Sequence, residues 1–242
     1  MIDKARIQTT SFVPAIIPSL KPLRAAARFA LMGAALAGAD QPVWAGELPI
    51  PKAAFVTAGR ADYAIAGNTL KINQQSERSI LNWQSFNVGK DNAVRFVQPS
   101  ASAIALNRID QADPSQIMGK VSANGQIYLI NRNGFVFGKD SAVDANSMLV
   151  STLDISDDTF NRGVTKVVDQ DGRAGLVGNG DIYRHNADGS ILLDAKGSPV
   201  KARIEITGGA AITSGQNGRL IFAAPWVDNA GQLSAPEGQI IM

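Results

Sequence analysis

The chain is predicted to be all-β, a run of short strands turning into a stacked solenoid. Three observations carry that prediction. Short apolar segments recur along most of the chain. Corners of Asn-Gly or Asp-Gly type separate them, at 124–125, 133–134, 171–172, 179–180, 188–189 and 217–218. No stretch after Gly46 shows a long apolar stripe at the 3.6-residue period of a helix. Asn and Gly reach positive φ at low cost, which a tight corner requires. Strands this short and this frequent belong to a sandwich, a barrel or a solenoid.

The first 45 residues stand apart from the pattern. Lys21, Arg24 and Arg28 precede an apolar stretch over 29–39, and Val43-Trp44-Ala45 offers a cut before Gly46. This is the plan of a signal peptide. The apolar stretch is shorter than the roughly 20 residues that a membrane span needs. Residues 1–20 make the leader longer than usual, which a start site assigned too far upstream would also produce. Five of the 23 Lys and Arg and two of the 21 Asp and Glu lie in this leader, leaving 18 basic against 19 acidic residues. The mature chain is therefore near neutral and lacks the basic footprint of a nucleic-acid binder.

From Ala54 the order is strand, corner, strand. Segments 69–72, 79–83, 93–97, 103–109, 116–121, 126–130, 135–137 and 148–155 are expected strands, followed by 203–206, 219–223, 232–234 and 239–242. The last strands recur at about 20 residues, the length of one rung in a stacked repeat. Val94 with Phe96, Ile127 with Leu129, Ile204 with Ile206, and Leu220 with Phe222 are alternate positions that would point inward and stack. The spacing before Ala142 is irregular, so a sandwich stays open on this pattern alone. Residues 156–201 are rich in Asp, Gly and Asn, with weak strand signals only at 166–168 and 190–193. They read as an excursion from the coil, a surface hairpin. The strand signal at Ile241-Met242 has no polar cap after it, so further coils are expected beyond it.

Reactive side chains are sparse. There is no cysteine and one histidine, His185, which excludes a zinc site of Cys/His type. A Ser-His-Asp triad would have to use His185, and no nucleophile motif accompanies it; a solvated loop histidine is the better reading. Asp154, Asp157 and Asp158 lack the ligand order of a calcium loop and read as an acidic turn. No catalytic, cofactor or metal residue is expected. A chain without cysteines cannot be locked by disulfides in an oxidising periplasm, which suits passage of a second membrane while unfolded.

Several ordered segments carry a resemblance. Ile80-Leu-Asn-Trp-Gln-Ser-Phe-Asn-Val-Gly89, Ala93-Val-Arg-Phe96, Leu106-Asn-Arg-Ile109, Ile117-Met-Gly119 and the run 125–155 resemble the N-terminal secretion domain of the filamentous haemagglutinin family. The likeness is close over about residues 55–160 and one of repeat style beyond. It implies a right-handed parallel β-helix with an N-terminal cap. It also implies an extended signal peptide and secretion to the surface of a Gram-negative bacterium. The implied partner is an outer-membrane barrel transporter with periplasmic modules; host glycans or receptors are further candidates. Stable membrane insertion is not implied. The family's Asn-Pro-Asn-Gly turn is here Asn131-Arg132-Asn133-Gly134. Arg132 gives up the φ restriction of Pro without forbidding the turn. The family's second motif, Asn-Pro-Asn-Leu, is absent.

The resemblance makes Asn131, Arg132, Asn133 and Gly134 candidates for recognition by the transporter. The plainer alternative is a corner whose Asn side chains bond the backbone. Trp83, Phe86, Asn107 and Arg108 form the second group. Trp83 and Phe86 read as core or cap anchors, and Arg108 as a partner of neighbouring carbonyls or a carboxylate. The expected function is a secretion-directing, fold-nucleating domain. Its rivals are a polysaccharide-active β-helix enzyme, which needs paired carboxylates on adjacent coils, and a direct carbohydrate or receptor adhesin.

Overall fold

A computed structural model describes residues 47–163 and 182–242. The leader at 1–45 with its cut before Gly46, the weak strand at 166–168, and the corners at 171–172 and 179–180 lie outside them. The described chain is a right-handed parallel β-solenoid with three faces, in keeping with the handedness of parallel crossovers. The first coil holds β3 (Thr69–Gln74) and β4 (Arg78–Ser85), and the second β5 (Ala93–Val97), β6 (Ile104–Ile109) and β7 (Ser115–Ile117). The third is β8 (Lys120–Ile130) and β9 (Phe135–Phe137); the fourth is β10 (Ala142–Ser151) and, after the excursion, β11 (Ile204–Ile206). A fifth coil, β12 (Ala211–Ser214), β13 (Arg219–Ala223) and β14 (Val227–Asn229), is followed by β15 (Gln232–Ser234) and β16 (Gln239–Ile241).

Strand register sets the core. On the first face Leu70, Val94, Val121, Val143, Ile212 and Leu233 lie directly above one another. On the second, Ala105, Ile127, Met148 and Leu220 do the same. On the third, Ile117, Phe137 and Ile206 stack. Successive residues of a strand point to opposite sides, so these ladders all face inward. Full burial of each Val, Leu, Ile, Met or Phe in these ladders contributes about 1.5–3 kcal/mol.

Two strands precede the coils and were not legible in the sequence. β1 (Ile50–Ala58) runs antiparallel to β4, and β2 (Ala61–Ala66) runs antiparallel to β3. Their sequences, Ile-Pro-Lys-Ala-Ala-Phe-Val-Thr-Ala and Ala-Asp-Tyr-Ala-Ile-Ala, lie half-exposed over the end of the stack and lack a clean alternation. They end the parallel pairing on that side and form the cap. Inside it, Phe55 sits edge-on to both Tyr63 and Trp83, and Trp83 to Phe86, with ring centres 5.0–5.2 Å apart.

The excursion is more than a hairpin. It begins with a helix, α1 (Asp157–Arg162), where no helix was expected. Six residues are too few to display a 3.6-residue period, but the cap is in the sequence. Ser156 Oγ accepts from the Thr159 N–H at 3.2 Å, and Asp157 and Asp158 sit in the positive first turn. Ile155 and Phe160 are fully buried against Ile80, Leu106 and Leu149, making a second apolar cluster on the outside of the coil. The excursion ends in short antiparallel bridges pairing Tyr183 with Lys201, His185 with Ile191, and Leu193 with Pro199. Asn124-Gly125 is likewise not a free corner, since it lies within β8.

Candidate functional site: the 131–134 corner and its surroundings

β8 delivers Asn131 to the corner between the second and third faces. The Gly134 N–H donates to the Asn131 carbonyl at 2.9 Å, closing the turn, while Asn131 Oδ1 accepts from the Asn133 N–H at 2.9 Å. That side chain-to-backbone bond two residues on is the device that makes Asn favourable here. Gly134 has φ 102°, and a Cβ there would lie 2.2 Å from the Arg203 carbonyl oxygen. Only glycine meets both conditions.

The two Asn side chains also tie neighbouring coils together. Asn131 Nδ2 donates to the Asp113 carbonyl at 3.2 Å and to Ser115 Oγ at 3.0 Å, both on the second coil. Asn133 Nδ2 donates to the Gln111 carbonyl at 2.7 Å, and its Oδ1 accepts the backbone N–H of His185 at 2.6 Å. Asn131 and Asn133 are buried, while Arg132 points to solvent. The structure therefore separates the four candidates. The two Asn and Gly134 hold the corner, and Arg132 offers its side chain outward. His185 is half-buried beside the corner and is not the solvated loop residue the sequence suggested.

The second group is built differently. Trp83 and Phe86 are fully buried. Trp83 Nε1–H donates to Asn107 Oδ1 at 3.0 Å inside the coil. Asn107 Nδ2 donates in turn to the carbonyls of Ala105, at 3.0 Å, and Tyr128, at 3.2 Å. Arg108 points outward, pairing with Asp154 at 3.0 Å, with Asp157, and with the Ile155 carbonyl. Burial works against its charge, but the two carboxylates outweigh that effect and raise its pKa further. Asp154 and Asp157 thus fasten α1 to the coil; among the described residues no cluster of three His, Cys, Asp or Glu is placed to hold a metal ion.

A second amide ladder escaped the sequence reading. Gln98 Nε2 donates to Gln74 Oε1 at 3.0 Å, and Asn124 exchanges two bonds with the Gln98 backbone at 2.7 and 2.8 Å. Its signal was an amide at the end of each rung, which irregular rung lengths obscured.

An open cleft of about 620 Å³ lies beside the corner, lined in part by Lys52, Arg108, Asp110, Arg132, Asp154 and Tyr183. Asp110 bonds Lys52 at 2.6 Å, and this bond holds its carboxyl below the usual carboxylate range. Its share of stability is therefore complete above the ordinary Asp pKa near 4 and fades as pH falls through the depressed folded value. The Asp110 side chain is 62% exposed, so that share is only about 0.2–1 kcal/mol. Asp110→Asn is expected to lose that much in urea melts at pH 7, with the gap to wild type closing as the pH falls below 4.

The model of the TPS (two-partner secretion) secretion domain family matches residues 49–242. Two heme/hemopexin-binding proteins of Haemophilus influenzae are similar to this chain. One, from strain Rd, is 32% identical over 112 residues, which is 46% of this chain and 12% of that protein. The other is 36% identical over 86 residues, 36% of this chain and 9% of that protein. The crystal structure of the HMW1 secretion domain from Haemophilus influenzae covers 74% of this chain and 41% of its own, at 26% identity and a TM-score of 0.55. The chain thus spans a small part of the curated relatives it matches. Proteins with such a domain are exported by Gram-negative bacteria through an outer-membrane transporter. The family model spans residues 49–242 and the fold agrees with it: the chain belongs to the two-partner secretion domain family.

Proposed function

We propose that residues 46–242 direct export of the protein that carries them and nucleate its folding outside the cell, and that residues 1–45 are an extended signal peptide cut before Gly46. The observation that carries this reading is the family match over residues 49–242. In the periplasm the chain is extended, and its strand segments add to sheet edges of the transporter's periplasmic modules through main-chain hydrogen bonds. Once outside, the coils stack, each burying its inward side chains on its neighbours. The structure gives an enzymatic reading little support, because the cleft carboxylates are engaged. Asp154 is paired with Arg108, and Asp110 is held ionised by Lys52, the opposite of what a general acid needs.

The test is expression with and without the cognate barrel protein, followed by assay of the culture medium. The chain is expected in the medium only when the barrel is present. Equal amounts in both cultures would overturn the proposal. Glycan or receptor binding by the same segment is compatible with export, and a glycan-array screen of the folded domain tests it separately.

A further inference from the structure

We propose that residues 152–163 act as a strap that fuses the first four coils into one folding unit, so that the stack closes together and not rung by rung. In an ordinary solenoid each coil touches only its neighbours, and folding can spread from any point. Here the chain leaving the fourth coil runs back to the first. The Arg78 guanidinium of β4 donates to the Phe160 carbonyl at 2.8 Å across 82 residues of sequence, and lies 5.6 Å from the Phe160 ring centre. The Phe160 ring also meets Tyr128 of the third coil edge-on at 6.4 Å. Arg108 of the second coil holds Asp154, Ile155 and Asp157. One segment therefore grips the first, second and third coils at once.

The strap also covers what the coils would otherwise expose. Ile80, Leu106, Tyr128 and Leu149 are aligned by strand register on the outside of the second face. Ile80 and Leu106 are completely buried although they point away from the solenoid interior. A stack lacking Ile155 and Phe160 would present this stripe to water, so the early coils gain their full stability only after the strap is available. If the export reading holds, the emerging chain stays extended until about residue 160 has cleared the transporter.

The test uses the full chain carrying Trp44→Phe and Trp226→Phe, which leaves Trp83 as the only tryptophan. Trp83 fluorescence then reports the first coil, and far-UV circular dichroism reports the whole stack. In this background the two urea transitions are expected to coincide. Phe160→Ala is expected to split them, with the Trp83 midpoint at least roughly 0.5 M urea below the dichroism midpoint. Val150→Ala, an interior change in the fourth coil, should move both midpoints together. Coincident transitions in Phe160→Ala, or split ones already in the background, overturn the proposal. If Phe160→Ala does not fold, Arg78→Gln is the milder variant, with the same expected split and the same overturning result. No transporter enters these measurements, so failure here leaves the export reading standing, and release without the barrel leaves the strap standing.

Discussion

Trp83→Ala is expected to lower folding stability by about 4 kcal/mol or more, the upper part of the range for removing a large aromatic from a core. Three contributions combine. The indole is completely buried, it packs edge-on against Phe55 and Phe86, and among the described residues it is the only donor to Asn107 Oδ1. Removing it opens a cavity beneath the cap and leaves a buried carbonyl oxygen without a donor, a further cost of about 1–3 kcal/mol. Trp83→Phe separates these contributions, since it keeps most of the ring but not the N–H. In the Trp83→Phe background, Asn107→Leu should recover part of the loss. Leu81 and Leu129 flank Asn107 in the same ladder, so an aliphatic side chain fits that position. Urea melts of the three variants measure this, and a Trp83→Phe protein as stable as wild type would refute the role given to the hydrogen bond.

The second large effect concerns the 131–134 corner. Asn133→Ala is expected to cost about 2–4 kcal/mol, because the Gln111 carbonyl and the His185 N–H both lose a buried partner. Gly134→Ala should cost at least as much, since a side chain at φ 102° is strained and would strike the Arg203 carbonyl. These values bear on export. A fall in secretion in Asn133→Ala shows recognition only if it exceeds that of a change equally destabilising elsewhere. Asn217→Ala is a poor control, because Asn217 is exposed at φ 58° and meets the next coil through its backbone N–H, on the Pro236 carbonyl at 2.8 Å, a bond that alanine keeps. Val150→Ala in the interior ladder is better matched. Arg132→Pro restores the family's turn residue at an exposed position and should leave stability within about 0.5 kcal/mol. If its secretion changes, a loss of overall stability is not the reason, and the corner is being read through its side chain or through the φ restriction that Pro adds; Arg132→Ala, which changes the side chain without that restriction, separates the two.

The solenoid was legible because its inward positions repeat. Val94, Val121, Val143 and Ile212 are alike, and alternation with polar neighbours marks their strands. The family resemblance implied a cap, but its strands were not legible in the residues, because β1 and β2 lie over the end of the stack with much of their surface in water and have no reason to alternate. β12 and β14 were missed for a related reason. Three- and four-residue strands such as Val-Asp-Asn owe their extension to the neighbouring coil more than to their own preference. Asn131, Asn133 and Gly134 could be singled out from the sequence, but their partners Gln111, Asp113 and His185 could not. Those contacts cross between coils, over sequence distances set by loops of irregular length.

The bridged segment that carries Gly189 and Gly197 has a practical side. Both glycines have positive φ, and a Cβ at either would meet nothing within 4 Å. The ends of the excursion are pinned independently, at Ser151 by its pairing with Ile130 and at Ile204 by its pairing with Phe135. Added length between them costs little loop entropy, about 0.6 kcal/mol per doubling. A peptide epitope or fluorophore tag grafted between Asp188 and Gly189 would therefore ride on the particle's exterior with the rungs undisturbed, giving a handle for watching single molecules emerge.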